Sequence, residues 1–235
     1  MIQIKKPDQM GYFDHGWLKT LHHFSFADYF DRDNMHFGVL RVVNDDLIEP
    51  GIGFPTHPHN DMEIISYVVD GELSHKDSMQ NASTIGRGEV QYMSAGTGVF
   101  HSEENFGSEW TRLLQIWVLP DAKGHTPNYG DFRFDWNERV NKWLHMVSSK
   151  TGNAPIKVNQ DVNFNVTYLE AGKTIDFEVA QNRQAYVVQI EGHSIINGQR
   201  VEETWALESV EENLHIEADD NNSHVLVIEM AKYEG

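Results

Sequence analysis

The feature that most limits how this chain can fold is a succession of short apolar runs broken by turn residues. Residues 37–43, 63–69, 89–93 and 113–119 are rich in β-branched and aromatic side chains, and between and after them stand Asn44-Asp45-Asp46, Asp70-Gly71, Gly86-Arg87-Gly88 and Pro120-Asp121. Side chains of that kind pack well on a pleated, half-buried surface, so the four runs read as strands. Asn, Asp, Gly and Pro supply turn conformations, so the breaks read as turns. Many short strands at this spacing specify an all-β sandwich or barrel.

The same grammar returns after about residue 150. Strand candidates cover 163–169, 174–179, 184–190, 194–196, 214–216 and 225–228, with turns at Ala171-Gly172, Glu191-Gly192 and Asn197-Gly198. The run Val68-Val69-Asp70-Gly71-Glu72-Leu73 matches Val188-Gln189-Ile190-Glu191-Gly192-His193, which suggests an internal repeat of one β module. Residues 121–155 connect the halves, and 136–147 fits either a short helix or a strand. Two domains follow, 1–135 and 136–235, each a small barrel of the same type.

Composition narrows the class. Of 235 residues, 40% are hydrophobic and 23% charged, enough for a sizeable core and ordinary for a globular chain. A net charge of −18, from 36 acidic against 18 basic side chains, repels phosphate backbones and anionic lipid, so direct nucleic-acid and membrane-surface binding are not expected. No Cys occurs, which excludes disulfides, thiolate metal sites and a cysteine nucleophile. No run of 18 apolar residues and no apolar leader stands out, so a cytoplasmic location is the expectation.

The chemistry concentrates in Thr56-His57-Pro58-His59, with Asp61 and Glu63 following, and in His101-Ser102-Glu103. In extended backbone, side chains alternate faces, so His57 and His59 point one way, as do His101 and Glu103. Two strands then aim three imidazoles and one carboxylate at a point, a donor set suited to a divalent transition metal with positions left open for water or substrate. Asp61 and Glu63 lie on the ligand face and read as acceptors for imidazole N–H groups. Glu63 shares a face with its histidines as Glu103 does, so spacing alone leaves the carboxylate ligand open between them. His15, His22, His23 and His36 read as polar side chains of an N-terminal segment rather than a second metal cluster. Of Phe24, Phe26, Phe54, Phe100 and Trp117, most are expected to fill core rather than line a ligand pocket. His193, His215 and His224 of the second half stand apart, so only the first half is expected to hold metal.

These residues carry a resemblance. Gly51, then five residues, then His57-Pro58-His59 with Glu63 beyond, is similar to the first cupin motif; Gly88, Met93-Ser94-Ala95-Gly96, His101 and Asn105 are similar to the second. Two extra residues separate Gly96 from His101, and Gly71 comes one residue late for the general pattern. Together with His15-Gly16-Trp17-Leu18, Phe24-Ser25-Phe26-Ala27-Asp28-Tyr29 and Met93-Ser94-Ala95-Gly96-Thr97-Gly98, these departures resemble the pirin family over residues 15 to about 119.

The resemblance implies a bicupin of two tandem double-stranded β-helix barrels of the jelly-roll type. It also implies one mononuclear metal, held here by His57, His59, His101 and Glu103. Iron is the metal it favours, although imidazole and carboxylate also accept Mn, Co, Ni, Cu or Zn. The implied activity is that of bacterial quercetin 2,3-dioxygenases: a flavonol and O₂ as substrates, Glu103 as general base, and carbon monoxide released. The alternative class is a metal-sensing regulator that binds a protein partner, as described for the animal namesake. A phosphosugar isomerase, another cupin activity, would want a basic pocket, and few Lys or Arg lie near the motifs.

Overall fold

A computed structural model describes residues 1–232. Strands dominate it, and it divides into two compact units, one of residues 10–134 and 158–160, the other of residues 1–9, 135–157 and 161–235. Among the described residues no helix is long and apolar enough to cross a membrane.

The first unit has a seven-strand and a four-strand sheet. The larger runs in the order Asn128–Phe132, Val90–Ser94, Glu63–Asp70, Thr111–Val118, Leu40–Ile48, Leu18–His22, Gly11–Asp14. The smaller runs Ile52–His59, Val99–Asn105, Glu72–Asp77, Ala82–Gly86. Leu18, Ile48, Val68, Leu73, Ile85 and Leu113 form one buried cluster, which joins residues of both sheets.

Asn44-Asp45-Asp46, expected as a turn, lies inside the strand Leu40–Ile48. That strand is paired on both sides, Asp46 standing opposite Leu113 and Thr20, so the ladders on either flank override the turn preference of three Asx residues. Asp45 turns to one face and receives two hydrogen bonds from Arg112, at 2.9 and 2.8 Å. Asn44 and Asp46 turn to the other.

The second unit repeats the plan, with a seven-strand sheet in the order Ile2–Lys5, Ala206–Val210, Arg183–Glu191, Ser223–Ala231, Val162–Leu169, Leu144–Ser149, Ile156–Val158. Its four-strand sheet runs Thr174–Phe177, Leu214–Glu217, Ser194–Ile196, Gln199–Val201. The first nine residues, assigned to the N-terminal half by chain order, thus belong to the other unit. Ile2–Lys5 pairs with Ala206–Val210, and Ile2 and Ile4 pack on that unit's core. Residues 136–147 hold a 3₁₀ turn at Trp136–Arg139 and the beginning of the strand Leu144–Ser149.

The repeated sequence pattern marks the same corner in both units. Glu63–Asp70 and Arg183–Glu191 each end at a glycine with positive φ, Gly71 at 76° and Gly192 at 68°, and the chain then enters the four-strand sheet. A Cβ at Gly71 would stand 2.9 Å from the Trp110 carbonyl oxygen, and one at Gly192 2.1 Å from that of Asn222. Glycine is required twice over, by conformation and by space.

Candidate metal centre

Ile52–His59 and Val99–Asn105 pair antiparallel with His57 directly opposite His101. Two residues further along, Glu103 faces Phe54, so the ladder slips by one residue and the bulge falls at Pro55-Thr56. Pro55 has no N–H to give to a ladder, and its carbonyl oxygen is instead 2.8 Å from His57 Nδ1. A carbonyl only accepts, so Nδ1 carries the hydrogen and Nε2 of the neutral ring keeps its lone pair. The bulge therefore fixes both the aim and the tautomer of His57.

His57, His59 and His101 bring their ligand atoms within 4.8 Å of one another. Their ring centroids are 4.7, 4.5 and 4.8 Å apart. Burial holds His59 down at about 4 and His101 at about 3, so both are neutral near pH 7 and offer lone pairs. His101 Nε2 is 3.0 Å from His57 Nε2, and His101 Nδ1 is buried without a hydrogen-bond partner. Either tautomer of His101 leaves an atom unsatisfied: with hydrogen on Nδ1 two lone pairs face each other, and with hydrogen on Nε2 a buried lone pair is orphaned. A separation of 3.0 Å suits neighbouring ligands each about 2.1 Å from one cation. The donor set fits a metal.

Glu103 is 2% exposed. Oε1 accepts from Ser66 Oγ at 3.1 Å and Gln91 Nε2 at 3.0 Å, and Oε2 accepts from Gln115 Nε2 at 2.6 Å. A carboxylate offers about four lone-pair sites, so one remains, on Oε2. Ligand atoms of Glu103, His101 and His75 also lie within 4.8 Å of one another. His75 is a residue the sequence reading passed over. It stands opposite Glu103 on Glu72–Asp77, is buried, hydrogen-bonds Gln91 Nε2 at 3.0 Å and stacks on Tyr129. The alternation Leu73-Ser74-His75-Lys76-Asp77 was the available signal, masked by its charged residues.

Asp61 and Glu63 do not serve the imidazoles as expected. Glu63 accepts from Tyr92 Oη, Ser94 Oγ, and the backbone N and Nδ2 of Asn159 at 2.7–3.0 Å, two bonds to each oxygen. All four of its lone-pair sites are used. Asp61 sits at φ 47° and receives the Gly124 N–H at 2.7 Å. Both tie loops and strands together: the strand of the ligands ends at His59, Asp61 lies in the bend that follows, and Glu63 begins a strand of the other sheet, so alternation does not carry on to either.

A cavity of about 380 Å³ opens beside the histidines, between the two sheets of this unit, in the range of small-molecule sites. From the four-strand sheet His57, His59, Glu103 and Phe54 line it; from the seven-strand sheet His22, Asn44, Asp46, Gln115 and Trp117 do, with Phe26 alongside. Three of the five aromatics thus line a pocket where most were expected in the core. Phe24 is buried as expected, and Phe100 is 55% exposed. Trp117 meets His59 edge-on at 4.8 Å and Phe26 at 5.3 Å, fixing that wall. His15, His22, His23 and His36 form no metal group among the described residues, but His22 reaches the cavity. In the other unit His215 pairs with Asp176 and His224 with Glu191, while His193 gathers Asp219 and Asp220, a potential cation group whose carboxylates are exposed.

Comparison with known proteins finds relatives along nearly the whole chain. A quercetin 2,3-dioxygenase of Escherichia coli K12 is 39% identical over 231 residues, covering 98% of this chain and 99% of its own, and a pirin-like protein of Caulobacter vibrioides is 43% identical over 202 residues, 86% and 87% of the two chains. The crystal structure of Escherichia coli YhhW superposes with a TM-score of 0.93 at 39% identity over the full length of both chains. A second structure, of bacterial pirin YhhW with nickel(II), gives 0.92 at 38% identity over 99% and 100%. The family pattern described as Pirin matches residues 3–118, and that of the quercetinase C-terminal cupin domain matches residues 145–230. With both halves matched and near-complete relatives at about 40% identity, the chain belongs to the pirin family, a two-cupin fold.

Proposed function

We propose that this protein is a metal-dependent dioxygenase that cleaves quercetin-like flavonols with O₂ and releases carbon monoxide. The observation that carries the reading is the meeting of three imidazoles, two of them held neutral by burial, and a carboxylate with one free lone-pair site beside an aromatic-lined cavity. His57, His59, His101 and Glu103 would hold one divalent first-row cation. Iron is the proposed occupant, although a similar protein has been crystallised with nickel(II). When bound, such a cation supplies Lewis acidity, lowering the pKa of a flavonol enol and polarising the adjacent ketone.

The protein's own groups do the rest. The one remaining lone pair of Glu103, on Oε2, can hold the cation or take the enol proton but not both at once, so Oε2 serves as base once it is no longer a ligand, while Ser66, Gln91 and Gln115 keep the carboxylate in place. Phe26, Phe54 and Trp117 flank the flavonol rings and exclude water from the electron-rich flavonolate. O₂ then adds to the flavonolate and the central ring opens. Each unit is read as a jelly-roll barrel, with the catalytic centre in the unit of residues 10–134 and 158–160 and the other unit structural.

The test is elemental analysis of the purified protein combined with O₂ uptake and carbon monoxide detection on quercetin. One bound metal per chain and equimolar O₂ consumption and carbon monoxide release are expected. Full metal occupancy with no O₂ uptake would overturn the enzymatic reading.

A further inference from the structure

The seven-strand side of the cavity faces the candidate metal ligands with polar side chains that the chemistry above does not use. His22 and Asn44 are a directly opposed cross-strand pair, and Asp46 lies two residues beyond Asn44 on the same face. All three line the cavity. All three are more than nine-tenths buried, at 4%, 4% and 3% exposure. His22 Nδ1, Asn44 Oδ1 and Asp46 Oδ1 have no hydrogen-bond partner in the protein. A buried polar atom without a partner typically costs 1–3 kcal/mol, so three on one wall of one cavity are a concentration that packing does not explain.

The local sequence points the same way. Three consecutive Asx residues inside a strand contradict its propensity, and such conflicts gather at functional sites. Asp45 is accounted for by Arg112 on the outer face. Thr20 stands opposite Asp46 and its hydroxyl only partly offsets the burial of that carboxyl, and Asn44 Oδ1 has no partner.

We propose that His22, Asn44 and Asp46 form a second recognition element in this cavity, a metal-independent wall that binds the hydroxyl groups of a polyhydroxylated aromatic ring. Opposed residues place their Cβ atoms about 4.5–5.5 Å apart, and residues two apart on a strand lie about 7 Å apart. The wall therefore spans one edge of a ring rather than a single atom, which suits two or more ring hydroxyls. Oδ1 of Asn44 is an acceptor only, so the matching ligand group is a donor. Phe26 meets His22 edge-on at 5.2 Å and Trp117 meets Phe26 edge-on at 5.3 Å, so an aromatic corner adjoins the polar wall. Burial keeps His22 at about 4, hence neutral near pH 7, and pushes Asp46 up to about 7, so at neutral pH the wall carries at most one negative charge. An uncharged polyphenol is accommodated better than an anion such as a phosphosugar.

The inference rests on the reading of this cavity as a flavonol site, and its test is chosen to fail separately. Metal-stripped protein is titrated by calorimetry with quercetin and with 3-hydroxyflavone, which keeps the enol and ketone but lacks the other ring hydroxyls. Quercetin is expected to bind about tenfold or more tightly, the equivalent of one to two hydrogen bonds. Asn44→Leu and His22→Phe should each remove most of that preference while leaving 3-hydroxyflavone affinity within about twofold. The wild-type comparison needs no variant, so a folding defect in either substitution does not rescue the idea. Equal binding of the two flavonols, or a preference that survives both substitutions, overturns the wall and leaves the metal-site reading standing on its own metal and O₂ measurements. If neither flavonol binds the metal-stripped protein, the wall falls, and the flavonol assignment stands or falls on the O₂ and carbon monoxide measurements.

Discussion

The two units share one sheet plan and differ in what they put inside it. In the first, the four-strand sheet carries His57 and His59, then His101 and Glu103, then His75 on successive strands. In the second, the strands at the same places in the order carry Ile175 and Phe177, then Leu214 and Ile216, then Ile196, and these pack into one buried cluster with Leu169, Val187 and Val225. A filled apolar interior is stabilised by burial alone, whereas a polar interior must satisfy each group or bear the loss. The backbone frame thus sets where a site can be, and the inward residues of one small sheet decide whether there is one. In the second unit His193, His215 and His224 are paired with carboxylates, and no two of them share a metal-ligand group among the described residues.

The sharpest way to break this contrast is to remove ligands from each unit. His57→Ala, His59→Ala and His101→Ala should each lower metal affinity more than about 100-fold without loss of the β fold, because the three imidazoles pack on one another and, among the described residues, belong to none of the apolar core clusters of either unit. Replacing His193, His215 and His224 together should leave metal stoichiometry near wild type. Loss of about half the bound metal from a folded triple variant would mean that both units carry sites. The two carboxylates of the first unit extend the test. Glu103→Gln should cut turnover about 10²-fold and metal content far less. Glu63→Gln should leave turnover near normal and lower stability by about 2–4 kcal/mol, since the new amide NH₂ confronts donors that now bond a carboxylate. Calorimetric melting beside metal analysis separates the two, and the reverse ranking would return the ligand role to Glu63.

How far the sequence revealed this site depended on which rule governed each residue. His57, His59, His101 and Glu103 were legible because alternation is a local property of extended backbone, and the turns at Gly71 and Gly192 because only glycine fits them. His75 was not, since the charges beside it hid the alternation of a short strand. Asn44 and Asp46 read as a turn because local propensity speaks for a turn, while two flanking strands 20 to 70 residues away in sequence impose extended backbone. Glu63 was misplaced for a related reason. Its four donors come from Tyr92, Ser94 and Asn159, and no local pattern announces such distant partners.

Strand exchange offers a third test. Ile2–Lys5 closes an edge of the second unit's large sheet, the place that Asn128–Phe132 takes in the first. Deleting residues 1–6 should expose the Ala206–Val210 edge and uncover core beneath Ile2 and Ile4, lowering Tm by about 10 °C. Hydrogen exchange should quicken in Ala206–Val210 and Arg183–Glu191 and stay unchanged in Glu63–Asp70. Equal quickening in both units would mean that they do not unfold separately.

The smallest expected effect concerns how each unit treats a buried acid. Glu229 in the second is tied to Arg183 at 2.8 Å, whereas Asp46 in the first lacks a bond at Oδ1 and is raised by burial from 3.8 to about 7. A carboxyl whose folded pKa is raised contributes stability that is full below its unfolded value and lost as pH rises through the folded one. For Asp46 the loss accumulates between about pH 4 and pH 7 and then levels off. His22 has the opposite sign: lowered from 6.5 to about 4, it contributes stability that is full above 6.5 and lost as pH falls through 4. Asp46→Asn removes only the first of these. In metal-stripped protein its Tm should match wild type at pH 4 and exceed it at pH 8. A Tm difference that does not change between pH 4 and pH 8 would mean that Asp46 is as well compensated as Glu229, and the first unit's interior would then be no more strained than the second's.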